Sequence, residues 1–103
     1  MKIIEVKDRN EKLVNNLMEI WEDSVKATHL FLSQEEIQKI KKYVQQALTE
    51  VKNLVIFENE RNIPIAFMGI EDKKLEMLFI KNRERGKGYG KSLLKYGLDK
   101  EGM

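Results

Sequence analysis

Residues 74–94 read KLEMLFIKNRERGKGYGKSLL, and the fold turns on how this stretch divides. Its first part, with Leu75, Met77, Leu78, Phe79 and Ile80, is apolar and aromatic without a helical period, which predicts a strand. Its end, entering Leu93 and Leu94, opens a helix. Between them Gly86, Gly88 and Gly90 stand on alternate positions among cationic residues. Glycine at this density is costly in conformational entropy, so the loop calls for positive φ angles or for backbone lying bare against a ligand. Three readings are open at this point: a phosphate cradle, a flexible basic loop, or an ordinary turn before a helix.

Upstream, KIIEVK (2–7) is a first strand, ended by DRN. From near Asn10 to about His29, the residues Leu13, Val14, Leu17, Ile20, Trp21, Val25 and Thr28 recur at three- and four-residue steps and predict an amphipathic helix. Ser33 followed by Glu36 forms a capping box. It opens a second helix with Ile37, Ile40, Val44, Ala47, Leu48 and Val51 on one face. The period then becomes extended. NLVIFEN (53–59) reads as a strand, ERN (60–62) as a turn, and IPIAFMGIE (63–71) as a strand apolar on both faces and hence central. Pro64 is tolerated near its start. EDKK (71–74) turns the chain into the strand of the opening stretch, and the last helix begins at about Gly88 with Leu93, Leu94 and Leu98 inward. The order β-α-α-β-β-β-loop-α predicts an α+β fold, a mostly antiparallel sheet flanked by helices. No repeat, low-complexity tract or linker interrupts it, so residues 1–103 read as a single domain.

With 42% hydrophobic and 35% charged residues the composition is that of a globular chain rather than a disordered or fibrous one. Uninterrupted apolar runs such as LVIF and IAFM are far below the roughly 20 residues needed to cross a bilayer. The first residues carry no run long enough for a secretory signal and no small-residue cleavage site. The absence of cysteine excludes a disulfide framework, a thiolate nucleophile and a cysteine metal site. A cytoplasmic location is the expectation. The net charge is only +2, yet residues 81–103 hold seven basic side chains against three acidic ones. Charge gathered around the glycine loop favours a small polyanion bound locally over a nucleic acid tracked along a broad face.

The loop departs from the common nucleotide motifs. Gly90-Lys91-Ser92 matches the end of a P-loop, but that motif needs a glycine where Arg85 stands. The dinucleotide fingerprint counted from Gly86 would place its third glycine on Lys91. What remains is a glycine loop between a strand and a helix N-terminus, with amides and a helix dipole able to receive an oxyanion. From the pattern alone this cradle and a plain turn both stay open.

Arg85-Gly86-Lys87-Gly88-Tyr89-Gly90, between LEMLFIKNRE and KSLL, resembles the acetyl-CoA signature of the GNAT family of N-acetyltransferases, Q/R-x-x-G-x-G/A. The order of elements is similar to the first two thirds of that fold, and WEDSVKATHLFLSQEEI resembles a bacterial subgroup of it. The resemblance implies an acetyl-CoA-dependent N-acetyltransferase, with acetyl-CoA as co-substrate, no metal, and an amine acceptor that the sequence does not define. It implies that amides of Arg85, Gly86, Lys87, Gly88, Tyr89 and Gly90 bind the pyrophosphate, with Lys91 and Ser92 at the helix start. The side chains of Arg83, Lys87 and Lys91 are further phosphate candidates, and equally readable as solvated cations. The family's fourth strand bulges and pairs its backbone with the pantetheine arm, implying Leu78, Phe79 and Ile80, and a bulge N–H would polarise the thioester carbonyl.

A free alkylamine of pKa about 10.4 is about 3.4 units from deprotonation at pH 7, a handicap of roughly 4.6 kcal/mol. A base is therefore useful. Glu76 stands where some GNAT proteins hold a glutamate that works through a water, and partial burial among Leu75, Met77 and Leu78 would raise its pKa. The bland reading of Glu76 is a solvent-facing strand residue. On the acceptor side the resemblance implies Trp21, Thr28, His29 and Phe31, with Trp21 also readable as core and His29 as a helix-end residue.

The resemblance ends after the third helix. A full GNAT domain adds a fifth strand, a fourth helix and a final strand pair, including the tyrosine that protonates the leaving thiolate. Neither Tyr89 nor Tyr96 maps onto it. A domain truncated there leaves the fourth strand as an apolar edge, which predicts a homodimer or a complementing chain along residues 75–80. The alternative function is a catalytically impaired acyl-CoA-binding or dimerising module. A nucleic-acid partner is disfavoured because aromatics are not interleaved with the cations as stacking platforms.

Overall fold

The computed structural model describes residues 2–28 and 32–103. Four strands, β1 (Lys2–Glu5), β2 (Asn53–Glu58), β3 (Pro64–Glu71) and β4 (Lys74–Ile80), pair in the order β1-β2-β3-β4, every pairing antiparallel. Helices α1 (Glu11–Thr28) and α2 (Gln34–Glu50) lie between β1 and β2, and α3 (Tyr89–Lys100) follows β4 through a short 3₁₀ turn at Asn82–Glu84. The α+β expectation and the element order are both observed.

The sequence explains the boundaries. Asn10 Oδ1 accepts from the Leu13 amide at 2.9 Å and caps α1. In α2 both halves of the capping box form, Ser33 Oγ accepting from the Glu36 amide and Glu36 Oε1 from the Ser33 amide, each at 3.1 Å. The β3–β4 hairpin turns on Asp72 and Lys73, with φ of 50° and 65°, the left-handed pair that a two-residue hairpin demands.

Strand alternation divides the core into two. On one face α1 and α2 cover Leu54, Ile56 and Phe67 with Leu17, Trp21, Val25, Ile37 and Leu48. On the other, α3 sets Leu93 against Val55, Met68 and Ile70. A fully buried Leu or Phe stabilises by about 1.5–3 kcal/mol, so the two sides of β3 hold the layers together. All but the last residue of β3 are buried, as a central strand requires. Trp21 is only 2% exposed within the first cluster, so of its two readings the core one holds and it presents no surface to a substrate.

Two helical faces differ from expectation. Leu98 is 58% exposed; α3 turns Leu93 and Gly97 inward instead, and Met103 folds back so that its Sδ lies 2.8 Å from where a Gly97 Cβ would stand. Ile40 is 38% exposed at the rim of the apolar face of α2, which packs through Ile37, Val44 and Leu48. Among the described residues no helix is long and apolar enough to cross a membrane.

Candidate functional site: the glycine loop and the open edge of β4

β4 carries a bulge. Gly69 pairs with Met77 and Ile70 with Leu75, leaving Glu76 as the extra residue. Gly69 makes room for this, since a Cβ there would meet Met77 Cγ at 2.9 Å. Beyond the bulge the Lys81 amide donates to Ile65 O at 2.9 Å. Counting back along the register from that bond, alternation in an antiparallel ladder turns the N–H and C=O of Phe79 and Met77 toward β3 and those of Leu78 and Ile80 toward the open edge. Of the three residues implied for pantetheine, Leu78 and Ile80 therefore present backbone groups. Phe79 spends its own on β3, and its ring packs on Phe67 at 5.6 Å.

The open edge leads into the loop. The 3₁₀ turn places Arg85, whose amide donates to Asn82 O at 3.2 Å, and then the chain passes Gly86 and Gly88 at φ of 77° and 86°. Both need the left-handed region that glycine adopts freely. A Cβ built on either meets nothing within 4 Å, so the space in front of the loop is open. The amides of Gly86, Lys87, Gly88, Gly90 and Lys91 find no acceptor among the described residues. Gly88 caps α3, so these donors lie at the positive end of the helix dipole. Gly90 sits close over β4, where its Cβ would be 3.0 Å from Ile80 Cδ1.

Not every residue implied for the pyrophosphate is available to it. The Arg85 amide is used inside the turn, and its guanidinium points away from the loop mouth, donating through Nη2 to Ser24 Oγ at 3.0 Å. Ser92 likewise gives both its amide and its hydroxyl to Gly88 O, at 3.1 Å each. Lys87 Nζ pairs with Glu84 at 3.0 Å, whereas Arg83 and Lys91 make no ion pair among the described residues. Tyr89 stacks obliquely on Phe57, ring centroids 4.8 Å apart, and so ties the helix start to β2.

Glu76 is exposed, not partly buried, because the bulge lifts it off the apolar neighbours expected to enclose it. It lines a shallow hollow of about 230 Å³ with Ala47, Glu50, Val51, Glu71 and Met77, where α2 ends against β4. Thr28 closes α1, its hydroxyl donating to Ser24 O at 2.8 Å. His29 and Phe31 lie outside the described residues. Asp23 and Ser24, which hold the loop from α1, had not been singled out; the signal for Ser24 was a polar residue on the same apolar stripe as Leu17, Trp21 and Val25.

A four-stranded antiparallel sheet with paired helices on one face, a bulged fourth strand and a glycine loop opening a helix on the other defines a class: the fold is that of GNAT acetyltransferase structures, and the sequence is similar to N-acetyltransferases. It is 33% identical over 96 residues to the peptidyl-lysine N-acetyltransferase YjaB of Escherichia coli, covering 93% of this chain and 65% of that protein. The YjaB of Salmonella typhimurium is 34% identical over 82 residues, which cover 80% of this chain and 56% of its own. The chain thus spans less than two thirds of the length of these relatives. The solution structure of apo-form E. coli YjaB superposes with a TM-score of 0.79 at 36% identity, covering 95% of this chain and 65% of that one. A GNAT family acetyltransferase from Brucella melitensis, solved with acetyl-CoA, shares the fold at a TM-score of 0.64 and 14% identity, covering 94% and 66%. No family model matches the chain.

Proposed function

We propose that the chain takes acetyl-CoA as co-substrate and transfers its acetyl group to an amine. The observation that carries this reading is the set of donor amides at Gly86, Lys87, Gly88, Gly90 and Lys91 left without an acceptor among the described residues at a helix N-terminus, with open space around Gly86 and Gly88. Hydrogen bonds to a charged acceptor contribute about 1.5–3 kcal/mol each and the dipole about 0.3–1, so a few of them suffice for a diphosphate. Arg83 and Lys91 add charge at the rim. Leu78 and Ile80 offer the pantetheine amides a strand edge, and an outward N–H of β4 receives the thioester oxygen as it gains charge.

In the reaction the amine nitrogen attacks the thioester carbon, the C–N bond forms, the C–S bond breaks and the thiolate leaves. Glu76, at the bulge, takes the amine proton through a water. The YjaB relatives are named for peptidyl-lysine, and the same class of acceptor, a lysine of a protein, is carried into this reading. Thr28, His29 and Phe31 are assigned to the acceptor in this reading on the resemblance alone. A cytoplasmic location belongs to the same proposal, supported by a chain without cysteine.

The exposure of Glu76 favours a second reading, a module that binds acyl-CoA without catalysing transfer. Calorimetry with acetyl-CoA, followed by turnover on a panel of lysine peptides, separates them. Binding with turnover supports the enzyme, and binding without turnover supports the module. Gly88→Val puts methyl groups into the open space before the loop and is expected to abolish binding; unchanged affinity would remove the loop from the site.

A further inference from the structure

We propose that α1 positions the glycine loop, with Asp23 and Ser24 acting as adjacent anchors for the turn that precedes it. This rests on reading the loop as the diphosphate site. Asp23 Oδ2 accepts from the Asn82 amide at 2.7 Å, at the start of the 3₁₀ turn. Ser24 Oγ accepts from Arg85 Nη2 at 3.0 Å, at its end. The two anchors grip both ends of one turn, and Gly86 follows directly. Between Arg85 and the α3 cap the chain is glycine-rich, so without these anchors little on its own side chains would fix where the amides point.

The placement of these residues in α1 supports the assignment. Ser and Asp are indifferent helix-interior residues, and α1 carries both side by side. Ser24 is 3% exposed in a helix whose other buried side chains are all apolar. A buried hydroxyl is costly unless bonded, and here the guanidinium supplies the donor. Arg85 is therefore a positioning residue: the first member of the motif acts through Ser24 on where the loop lies, not on phosphate. The same helix ends at Thr28, which the proposed function assigns to the acceptor border, so the proposed donor loop and acceptor border hang from one helix.

Ser24→Ala in the full chain removes the acceptor and makes the buried position apolar, and Arg85→Met removes the donor from an exposed site. Each is expected to weaken acetyl-CoA and inorganic pyrophosphate by about tenfold, the scale of one hydrogen bond to a charged group, raising KM more than it lowers kcat. The double variant is expected to be no weaker than either single one. In the ligand-free state the ¹⁵N order parameters of Gly86, Gly88 and Gly90 are expected to fall in both variants while those of α3 hold. Order parameters and affinities unchanged in both variants would overturn the anchor, whatever happens to the melting temperature. If the wild type takes no acetyl-CoA, the proposed enzyme falls, and the ligand-free order parameters still decide the anchor.

Discussion

Asn53 Nδ2 donates to Glu5 Oε1 at 2.8 Å, and this bond, with a further one from the Glu101 carboxyl, holds Glu5 below the usual carboxylate range. Glu101 is pushed the other way, first by burial and then by its bond to Glu5 and the charge there. The two act as one pair in which Glu101 keeps the shared proton. A raised carboxyl stabilises the fold while it is protonated and ceases to as pH rises through its folded titration. Glu101→Gln is therefore expected to melt like the wild type in acid and higher than it near neutrality, and equal melting temperatures at every pH would dismiss the pair. Single residues differ in how legibly the sequence announces them. Gly86 and Gly88 were readable because a positive φ is a local demand. The role of Arg85 was not, because Ser24 lies 61 positions away and nothing in the motif points to it.

Helices and strands were legible as far as periodicity alone decides them. The boundaries of α1 and α2 followed from spacing and a capping box, and β3 from its unbroken burial. The orientation of α3 was not so readable, since Leu98 fits the same period and only the return of Met103 onto Gly97 shows which face is covered. A bulge in β4 was likewise expected only through family resemblance, which associated it with Leu78, Phe79 and Ile80 and not with Glu76 where it falls, because a one-residue slip in β4 leaves no mark in an already apolar run. With Leu78 and Ile80 presenting backbone groups outward and Leu75 42% exposed, β4 is an edge apt to pair with another strand. We propose that a second copy of the chain occupies it when acetyl-CoA does not. Sedimentation should then find a dimer that dissociates on adding acetyl-CoA, and a monomer at every protein concentration in ligand-free buffer would refute it.

Across the whole molecule, β2, β3 and β4 follow one another both in the chain and in the sheet, which made the antiparallel meander readable from the hairpin turns. What places the candidate site is less local: a loop after β4 held by a helix that precedes β2. β1 is the most distant partner, pairing Lys2 with Glu58 and Ile4 with Ile56 across both long helices. That arrangement has a kinetic consequence. The meander closes short loops and gains contacts early, whereas β1 must wait until the α1–α2 excursion has folded back, a closure whose entropy is offset only at the end. Ile4 packs against the α1–α2 cluster, and Ile4→Ala is expected to destabilise by about 2 kcal/mol. Stopped-flow measurements should show nearly all of that loss as unfolding made about thirtyfold faster, with refolding unchanged. The strand that starts the chain would then be the last to join the sheet and the first to leave it.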